Sequence, residues 1–448
     1  MQRSKLALAL SLGFLVLMSV RPLSAGEGLP RAQPDQVGLD AAGLERVGQL
    51  FREAVDQKQI AGAVVLVARH GKMAYLDAVG MRDVESGIAM TPDTIFRIAS
   101  MTKPITSTAV MMLADQGRLD LSDPIARFLP EFKFMKVAVP KKKGDAVATS
   151  PGNAAADYEL FDAYRPITIR DLLMHTSGLC YRFRNHPLVG RLYSEAKICD
   201  GLSPCDHSLA ENVRRLARLP LVHQPGTAWE YGLNTDVLGR LVEVVSGQSL
   251  DAFFAERIFA PLKMTDSHFV LPEAKRKRLA ALYEPGPGGK IARVGEGPTV
   301  KGELIYWANL PYAETKGYFS GGAGLVSTAS DYARFLQMFL NGGELDGVRL
   351  LRPQTVAAMT CNQTEGLPLG IPVHGFGFGY GFGVTTQPSA TTKDPAGTFA
   401  WGGIYYTDFW ADPQHEVIGI MMTQVYPSGQ LKLREEFHRL VNAAIRQP

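Results

Sequence analysis

The position of the strand-like segments constrains the fold of this 448-residue chain more than any other feature. Two apolar segments, 62–69 and 72–79, lie near the N-terminus, and two more, 405–411 and 417–422, lie near the C-terminus. The region between them, roughly 118–315, shows helical patterns and long loops. Strands must pair with other strands to satisfy their backbone hydrogen bonds. The pattern therefore predicts an α/β protein with one sheet built from both ends of the chain and a mostly helical insertion.

The charge balance excludes some classes of protein. The 47 Lys and Arg residues nearly equal the 44 Asp and Glu residues, which gives a net charge of +3. Arg3, Lys5 and Arg21 place three positive charges in an N-terminal segment that we expect to be removed. The remaining chain is neutral and lacks the basic surface of a nucleic-acid-binding protein. The sequence has no His-Glu-x-x-His motif and no cysteine spacing typical of zinc sites. We therefore predict no nucleic-acid partner, no metal and no other cofactor.

The first 25 residues have the pattern of an export signal. Arg3 and Lys5 precede an apolar stretch that ends at Val20, and Ala25 supplies a small residue for cleavage. The stretch is shorter than the ~20 apolar residues that span a bilayer. No cysteine follows it and no twin Arg precedes it, so we predict ordinary export. Residues 1–25 are predicted to be a signal peptide, and 26–448 a periplasmic or secreted domain without a stable membrane anchor; a retained N-terminal anchor is the alternative.

Export permits disulfides. The four cysteines are Cys180, Cys199, Cys205 and Cys361, which allow three pairings. Three of them lie in one short region, which favours a local bridge such as Cys199–Cys205. Free buried thiols are the alternative.

Several local signals place helices, strands and loops. Asp40 is a candidate cap for a helix with Leu44, Val47, Phe51 and Val55 on one face. Further helices are predicted over 106–116, over 236–246 and at the C-terminal end of the chain, where Phe437, Leu440, Val441 and Ala444 share a face. The segment 141–157 is rich in Lys, Gly, Ala and Ser and is predicted to be an irregular loop.

A Ser-x-x-Lys motif carries the first chemical signal. Ser100 and Lys103 follow an apolar, strand-like run and open an apolar helix. Residues three apart on a helix share a face, so the Ser hydroxyl and the Lys amine are expected to lie together. A Ser hydroxyl needs a nearby base to act as a nucleophile. Ser194 and Lys197 have the same spacing, but they lie in a polar stretch with no such context. Ser100 is therefore the candidate nucleophile, with a structural helix cap as the alternative.

Two later segments add candidate groups. Tyr231 lies on a loop before a helix, where a Tyr beside a cation can carry a proton. Trp401, Gly402 and Gly403 end a strand, and paired glycines let the backbone approach a ligand closely. The amides of Ile404 and Ser100 are candidate donors to an oxyanion. Taken singly, a packing Tyr and a plain strand bulge explain these segments equally well.

Together, these three motifs resemble the serine β-lactamase and penicillin-binding-protein superfamily. Their order is Ser-x-x-Lys, a Tyr motif and a third motif on a strand near the C-terminus. The chain is most similar to the class C β-lactamase-like esterases, the family VIII carboxylesterases. The resemblance spans about residues 35–445, and its further motifs are Leu172-Leu-Met-His-Thr-Ser-Gly-Leu179, Pro225-Gly226, Gly321-Gly-Ala-Gly-Leu-Val-Ser-Thr328, Asp331-Tyr-Ala-Arg-Phe335 and Asp412-Pro413.

The resemblance implies a fold and a set of roles. The fold is a β-lactamase-like sandwich, a central antiparallel sheet flanked by helices, with its sheet from about 35–98 and 318–448 and a helical insertion at about 100–317. Ser100 matches the nucleophile, Lys103 its partner and Tyr231 the general base. The amides of Ser100 and Ile404 match the oxyanion hole. The implied substrate-binding residues are Trp401, Gly402 and Gly403, whereas His175 and Ser177 match a structural turn.

Two departures from the β-lactamase pattern bear on specificity. Trp401-Gly402-Gly403 stands where those enzymes usually have Lys-Thr-Gly, whose Lys and Thr bind a substrate carboxylate. Leu233 stands where the Tyr-x-Asn motif has its Asn, and Asn234 follows one position later. Both departures favour neutral esters over β-lactams.

We therefore predict an exported serine hydrolase that cleaves small carboxylic esters through an acyl-enzyme on Ser100. The alternatives are a β-lactamase or D-Ala-D-Ala peptidase, an acyl transferase that moves the acyl group to an alcohol, and a penicillin-sensing module without turnover. The natural ester and the oligomeric state are not indicated by the sequence.

Overall fold

The computed structural model describes residues 28–141, 157–184, 186–286, 290–302, 304–310, 317–370 and 375–446. The predicted signal peptide, 1–25, lies outside the described residues, as does most of the predicted loop at 141–157. The helices are α1 Ala41–Asp56, α2 Thr102–Asp115, α3 Ile169–Leu173, α4 Val189–Glu195, α5 Leu209–Leu216, α6 Asn234–Ser246, α7 Leu250–Phe254, α8 Glu273–Arg276, α9 Ala329–Leu340, α10 Pro353–Thr360 and α11 Leu433–Ala444.

The strands are short outside the main sheet. They are β1 Gly62–Arg69, β2 Lys72–Asp83, β3 Ile88–Ala89, β4 Phe96–Arg97, β5 Lys136–Pro140, β6 Tyr158–Asp162, β7 Tyr283–Pro285, β8 Ile291–Arg293, β9 Thr299–Lys301, β10 Leu304–Tyr306, β11 Val326–Ser327, β12 Glu344–Leu345, β13 Val348–Arg349, β14 Phe376–Phe378, β15 Gly383–Thr385, β16 Phe399–Gly403, β17 Thr407–Asp412 and β18 Val417–Met422.

One antiparallel sheet joins the two ends of the chain. Its strand order is β14-β15-β16-β17-β18-β1-β2-β3. The β1–β18 ladder pairs Val64 with Met422 and Arg69 with Val417, so the N-terminal and C-terminal strands are direct neighbours. The prediction of a sheet built from both termini is confirmed, and β1 and β18 have the predicted bounds.

The sheet separates two hydrophobic layers because side chains alternate along each strand. In β1, Val64 and Leu66 belong to the layer that also contains α2, α6 and α9, whereas Val65 and Val67 belong to the layer formed with α1 and α11. Every residue of β1 is buried, as expected for a strand covered on both faces. The Ser-x-x-Lys motif of Ser100 and Lys103 lies at the start of α2, in the larger layer.

The insertion contains helices α2–α8 and also short paired strands, which the sequence patterns did not separate from loops. The strands β5 and β6 pair and flank the segment that was predicted to be an irregular loop. The pairs β7–β8 and β9–β10 follow before residue 310. Each of these strands has only three to five residues, too few for a clear alternating pattern.

The cysteines and the lengths of the helices complete the description of the fold. Cys199 and Cys205 form a disulfide, as predicted, while Cys180 is a buried free thiol and Cys361 an exposed one. Among the residues that the structure describes, no helix has the length and apolar character needed to cross a membrane.

Candidate active site

Ser100 lies in a short 3₁₀ turn, Ala99–Met101, that runs directly into α2. Ala99 has a φ of +42°, a conformation that is strained for a residue with a side chain and that recurs at functional sites. Lys103 Nζ lies 3.2 Å from Ser100 Oγ, and the Tyr231 hydroxyl lies 2.8 Å from the same oxygen. The structure thus brings together the three groups that the sequence analysis singled out.

Lys103 is completely buried beneath this hydroxyl. Its Nζ also donates a 2.7 Å hydrogen bond to the carbonyl oxygen of Gly322. The ring centroids of Tyr231 and Tyr181 lie 4.6 and 5.3 Å from Nζ, close enough for cation–π attraction. The hydrogen bond and the ring contacts therefore fix the position of Lys103 Nζ beside Ser100 and Tyr231.

Tyr231 is held by the His-Thr-Ser-Gly turn. The His175 ring packs against the Tyr231 ring with centroids 5.1 Å apart. His175 Nδ1 lies 2.9 Å from Asn234 Nδ2, and the Ser177 hydroxyl donates to Asn234 Oδ1 at 2.5 Å. Burial, helped by Lys103, holds the pKa of His175 well below its usual value, so the ring is neutral. His175 and Ser177 therefore support the loop, as predicted, and neither contacts Ser100 among the described hydrogen bonds.

The same contacts explain the altered Tyr motif. Asn234 is fully buried and its side chain is committed to His175 and Ser177. Leu233 is also buried. Neither residue lines the cavity over Ser100, so neither supplies the amide contact that the Asn of the Tyr-x-Asn motif makes.

The third motif forms one wall of that cavity. Gly403, the last residue of β16, packs so closely on the turn before Ser100 that a Cβ there would lie 2.4 Å from the Ile98 carbonyl oxygen. Ile404 follows directly and lines the same cavity as Ser100. Only glycine allows this approach, which places the two candidate amide donors on facing segments.

The cavity has a volume of about 450 Å³ and a largely apolar wall. Its aromatic and aliphatic lining residues are Tyr181, Phe183, Leu202, Tyr231, Ala323, Phe376, Val384, Ala400, Trp401 and Ile404. Its polar and charged lining residues are Ser100, Asp200, Thr385, Asp408, Arg434 and His438. Ser100, Tyr231 and the third motif were predicted from the sequence, whereas most of the other lining residues were not.

Arg434 on α11 is the main lining residue that the sequence patterns did not indicate. Arg434 Nε lies 2.7 Å from Asp408 Oδ1, and a Cβ on Gly402 would lie 2.9 Å from the guanidinium. His438 bridges Asp408 and Asp394 at 3.0 and 2.8 Å. These two carboxylates outweigh the cost of burial and raise the pKa of His438 to about 9. The positive charges of Arg434 and His438 balance the negative charges of Asp394 and Asp408, so this end of the cavity is polar but carries no net charge.

The second Ser-x-x-Lys motif lies elsewhere. Ser194 is near the end of α4, and its hydroxyl donates to the carbonyl oxygen of Gly190 in the preceding turn. Neither Ser194 nor Lys197 lines the cavity. The sequence context favoured Ser100 over Ser194, and of these two serines only Ser100 lines the cavity.

Within the described ranges, one cluster of side chains has potential metal-ligand atoms close together. Cys199, Cys205 and His207 bring their ligand atoms within 4.8 Å of one another. The two sulfur atoms are joined in the disulfide and supply no thiolates. This group does not lie over Ser100 and has no part in the chemistry there.

Comparisons with known proteins cover the sheet, the insertion and the site together. A family model described as Beta-lactamase matches residues 47–443. Protein Rv1367c of Mycobacterium tuberculosis is 37% identical over 388 residues, 84% of this chain and 89% of the relative. Esterase EstB of Burkholderia gladioli is 36% identical over 388 residues, 85% of this chain and 90% of the relative. The solved structure of EstCE1, described as a hydrolase with promiscuous acyltransferase activity, has a TM-score of 0.74 at 28% identity and covers 91% of this chain and 99% of that chain.

Proposed function

Because the chain belongs to the beta-lactamase family, we propose that it is an exported serine hydrolase that cleaves neutral carboxylic esters through an acyl-enzyme on Ser100. The relatives support the coarser statement, a serine hydrolase or acyltransferase, directly. One observation carries the proposal: Ser100 Oγ lies within 3.2 Å of Lys103 Nζ and 2.8 Å of the Tyr231 hydroxyl, in an apolar cavity of about 450 Å³.

Acylation begins with attack of Ser100 Oγ on the ester carbonyl carbon. Tyr231, assisted by Lys103, takes the hydroxyl proton, since both groups lie within hydrogen-bond reach of Oγ. The carbonyl oxygen becomes an oxyanion, for which the amides of Ser100 and Ile404 are the proposed donors. Tyr231 then gives the proton to the leaving alcohol, the ester C–O bond breaks, and the acyl group remains on Ser100.

Deacylation repeats these steps with water as the nucleophile. Tyr231 takes a proton from the water, which attacks the acyl carbon, and the proton returns to Ser100 Oγ as the carboxylic acid leaves. An alcohol in place of water gives a new ester, which is the acyl-transfer alternative. The description of EstCE1 as a hydrolase with promiscuous acyltransferase activity supports acyl transfer as the second candidate function.

The walls of the cavity support a neutral or aromatic ester. Trp401 and Phe376 offer ring surface where the β-lactamase motif offers a cation and a hydroxyl. Leu233 stands where the Tyr-x-Asn motif has the Asn that contacts a β-lactam or peptide amide, and the neighbouring Asn234 is buried against His175 and Ser177. Arg434 supplies a cation at the Gly402 edge, but Asp408 neutralises it at 2.7 Å. A β-lactamase or D-Ala-D-Ala peptidase therefore remains the less favoured alternative, and a sensing module would stall after a single acylation.

Covalent labelling tests the nucleophile. A fluorophosphonate should label Ser100, and peptide mass mapping should locate the label there. Ser100→Ala should lose essentially all hydrolysis of 4-nitrophenyl butyrate, whereas the matched control Ser194→Ala should retain it. A label on Ser194, or an active Ser100→Ala enzyme, would refute the proposal.

A substrate panel tests the class of substrate. Short-chain 4-nitrophenyl esters should be hydrolysed with a far higher kcat/KM than a chromogenic cephalosporin or a D-Ala-D-Ala peptide. A cephalosporin that rivals the best ester would favour the β-lactamase alternative. One turnover followed by a stable acyl-enzyme would favour the sensor.

Export is the part of the proposal that depends on residues outside the described structure. The charged, apolar and small-residue segments of 1–25 support it. N-terminal sequencing of secreted material should find Gly26 as the first residue. Retention of Met1 in a membrane fraction would indicate an anchor instead.

A further inference from the structure

The Gly321-Gly322 pair lies between α2, which carries Lys103, and α6, which follows Tyr231. A Cβ on Gly321 would lie 2.4 Å from the Thr235 carbonyl oxygen, and one on Gly322 would lie 2.6 Å from Asp236 Oδ2. The carbonyl oxygens of the pair accept hydrogen bonds from α2: Gly321 from Thr106, and Gly322 from Lys103. The glycines therefore let one thin layer of backbone separate Lys103 from Asp236 on α6.

Asp236 is a fully buried carboxylate, and its Oδ2 lies beside Gly322, the residue that accepts the Lys103 hydrogen bond. The Tyr318 hydroxyl donates to its Oδ1 at 3.2 Å. The Tyr181 hydroxyl lies beside the same Gly322 position that Asp236 Oδ2 approaches, and Tyr181 also contacts Lys103 through its ring. Burial raises the pKa of Asp236 to about 6, although the hydrogen bonds to it and the charge of Lys103 oppose that rise.

We propose that Asp236 is a positioning residue that acts through Gly322 and supplies the negative charge that balances Lys103 while Tyr231 accepts the proton of Ser100. The inference rests on the proposed function. A buried ammonium is costly unless a buried carboxylate compensates it, because the interior screens charge weakly. With Asp236 in place, Lys103 serves as the cation beside Tyr231 and Tyr231 serves as the base.

Other charged and titratable groups face the same space. Asp200 is a second buried carboxylate, and Lys103 acts on its pKa, which burial raises. The other groups are Arg182, whose Nη2 lies 3.7 Å from Asp200 Oδ2, His175, which is neutral, and the phenols of Tyr181, Tyr231 and Tyr318. Asp236 differs from Asp200 in packing against the residue that accepts the Lys103 hydrogen bond.

The pH profile of kcat/KM for 4-nitrophenyl butyrate tests this role. Asp236→Asn keeps the shape of the side chain and an oxygen for Tyr318 but removes the charge. Loss of that negative charge favours the deprotonated form of the group made by Ser100, Lys103 and Tyr231. The acid limb of the profile should therefore move to lower pH by about one unit. The plateau kcat should fall, because a site that releases its proton more readily is a weaker base. Asp236→Ser removes the same charge and should move the limb in the same direction.

Two controls separate charge from packing. Tyr318→Phe disturbs the same packing but leaves the carboxylate, so its acid limb should not move to lower pH. Asp412→Asn removes a buried carboxylate away from the cavity and should leave the limb unchanged. A fall in kcat with an unmoved limb, or a shift to higher pH, in both Asp236 variants would overturn the inference. An active Ser100→Ala enzyme would instead overturn the proposed function.

Discussion

Gly403 is the position at which one added methyl group should separate the two sides of the proposed oxyanion hole. In Gly403→Ala the new Cβ would lie 2.4 Å from the Ile98 carbonyl oxygen and 2.3 Å from Thr407 Oγ1. A relaxed carbon–oxygen contact is about 3.3 Å. The Thr407 hydroxyl can rotate away, but the Ile98 carbonyl belongs to the backbone that leads into Ser100. The strand β16 and that backbone must therefore move apart by about 1 Å.

The size of the effect follows from what those two segments carry. Ile98 lies two residues before Ser100, and Gly403 lies one residue before Ile404, so a 1 Å separation displaces one amide from the oxyanion. Loss of one such donor lowers kcat about 10²- to 10³-fold. Overpacking of this kind also costs about 1–3 kcal/mol of the free energy of unfolding. We expect a small change in KM, because the amides act mainly in the transition state.

The assay is steady-state hydrolysis of 4-nitrophenyl butyrate together with urea denaturation of the same protein samples. Gly297→Ala is the matched control, because a Cβ there meets nothing within 4 Å and the backbone φ is ordinary. That control should retain wild-type kcat and stability. A Gly403→Ala enzyme with kcat within about threefold of wild type would refute the assignment of Ile404 to the oxyanion hole.

Two further predictions concern Tyr231 and His438. Tyr231→Phe removes the hydroxyl 2.8 Å from Ser100 Oγ, so kcat for ester hydrolysis should fall about 10²- to 10⁴-fold while KM changes little; a near-normal kcat would exclude Tyr231 as the base. His438 lies between Asp394 and Asp408 with its pKa raised to about 9, so the folded protein holds that proton more tightly than the unfolded chain. The resulting stabilisation is complete below about pH 6.5 and is lost as pH rises through about 9, on the order of 1–3 kcal/mol. Urea denaturation across that range should show this loss in wild type and not in His438→Gln, and equal pH dependence in both would contradict it.

Strong local patterns allowed much of the fold to be predicted. The strand Gly62–Arg69 is apolar up to Ala68 and ends at a His-Gly turn, so its predicted bounds agree with the structure. The helix α2 was predicted over 106–116, with the Ser-x-x-Lys motif opening it, and it begins at Thr102, directly after the turn that holds Ser100. Pro104 is tolerated in its first turn, where the missing N–H would have no partner.

The proximity of the candidate catalytic groups was predictable because their spacing is local or their motifs are distinctive. Arg434 was not, because its place in the cavity depends on how α11 packs against β16 and β17, about 30 residues earlier in the chain. In the sequence, 433–444 shows only an amphipathic helix with Phe437 and Val441 on its buried face. Periodicity identifies which face of a helix is buried, but it does not identify which polar residue at the edge of that face meets a distant strand.

The pairing of β1 with β18 has a consequence for how the chain is made. The partners Val64 and Met422 are separated by most of the protein, so at 5–20 residues per second the ribosome needs on the order of tens of seconds to supply the second strand after the first. During that time β1, a strand that is wholly buried in the finished protein, has one edge without its partner. Such an edge attracts other chains. Nascent and truncated forms should therefore depend on a chaperone, or on delayed release, until β18 arrives to close the sheet.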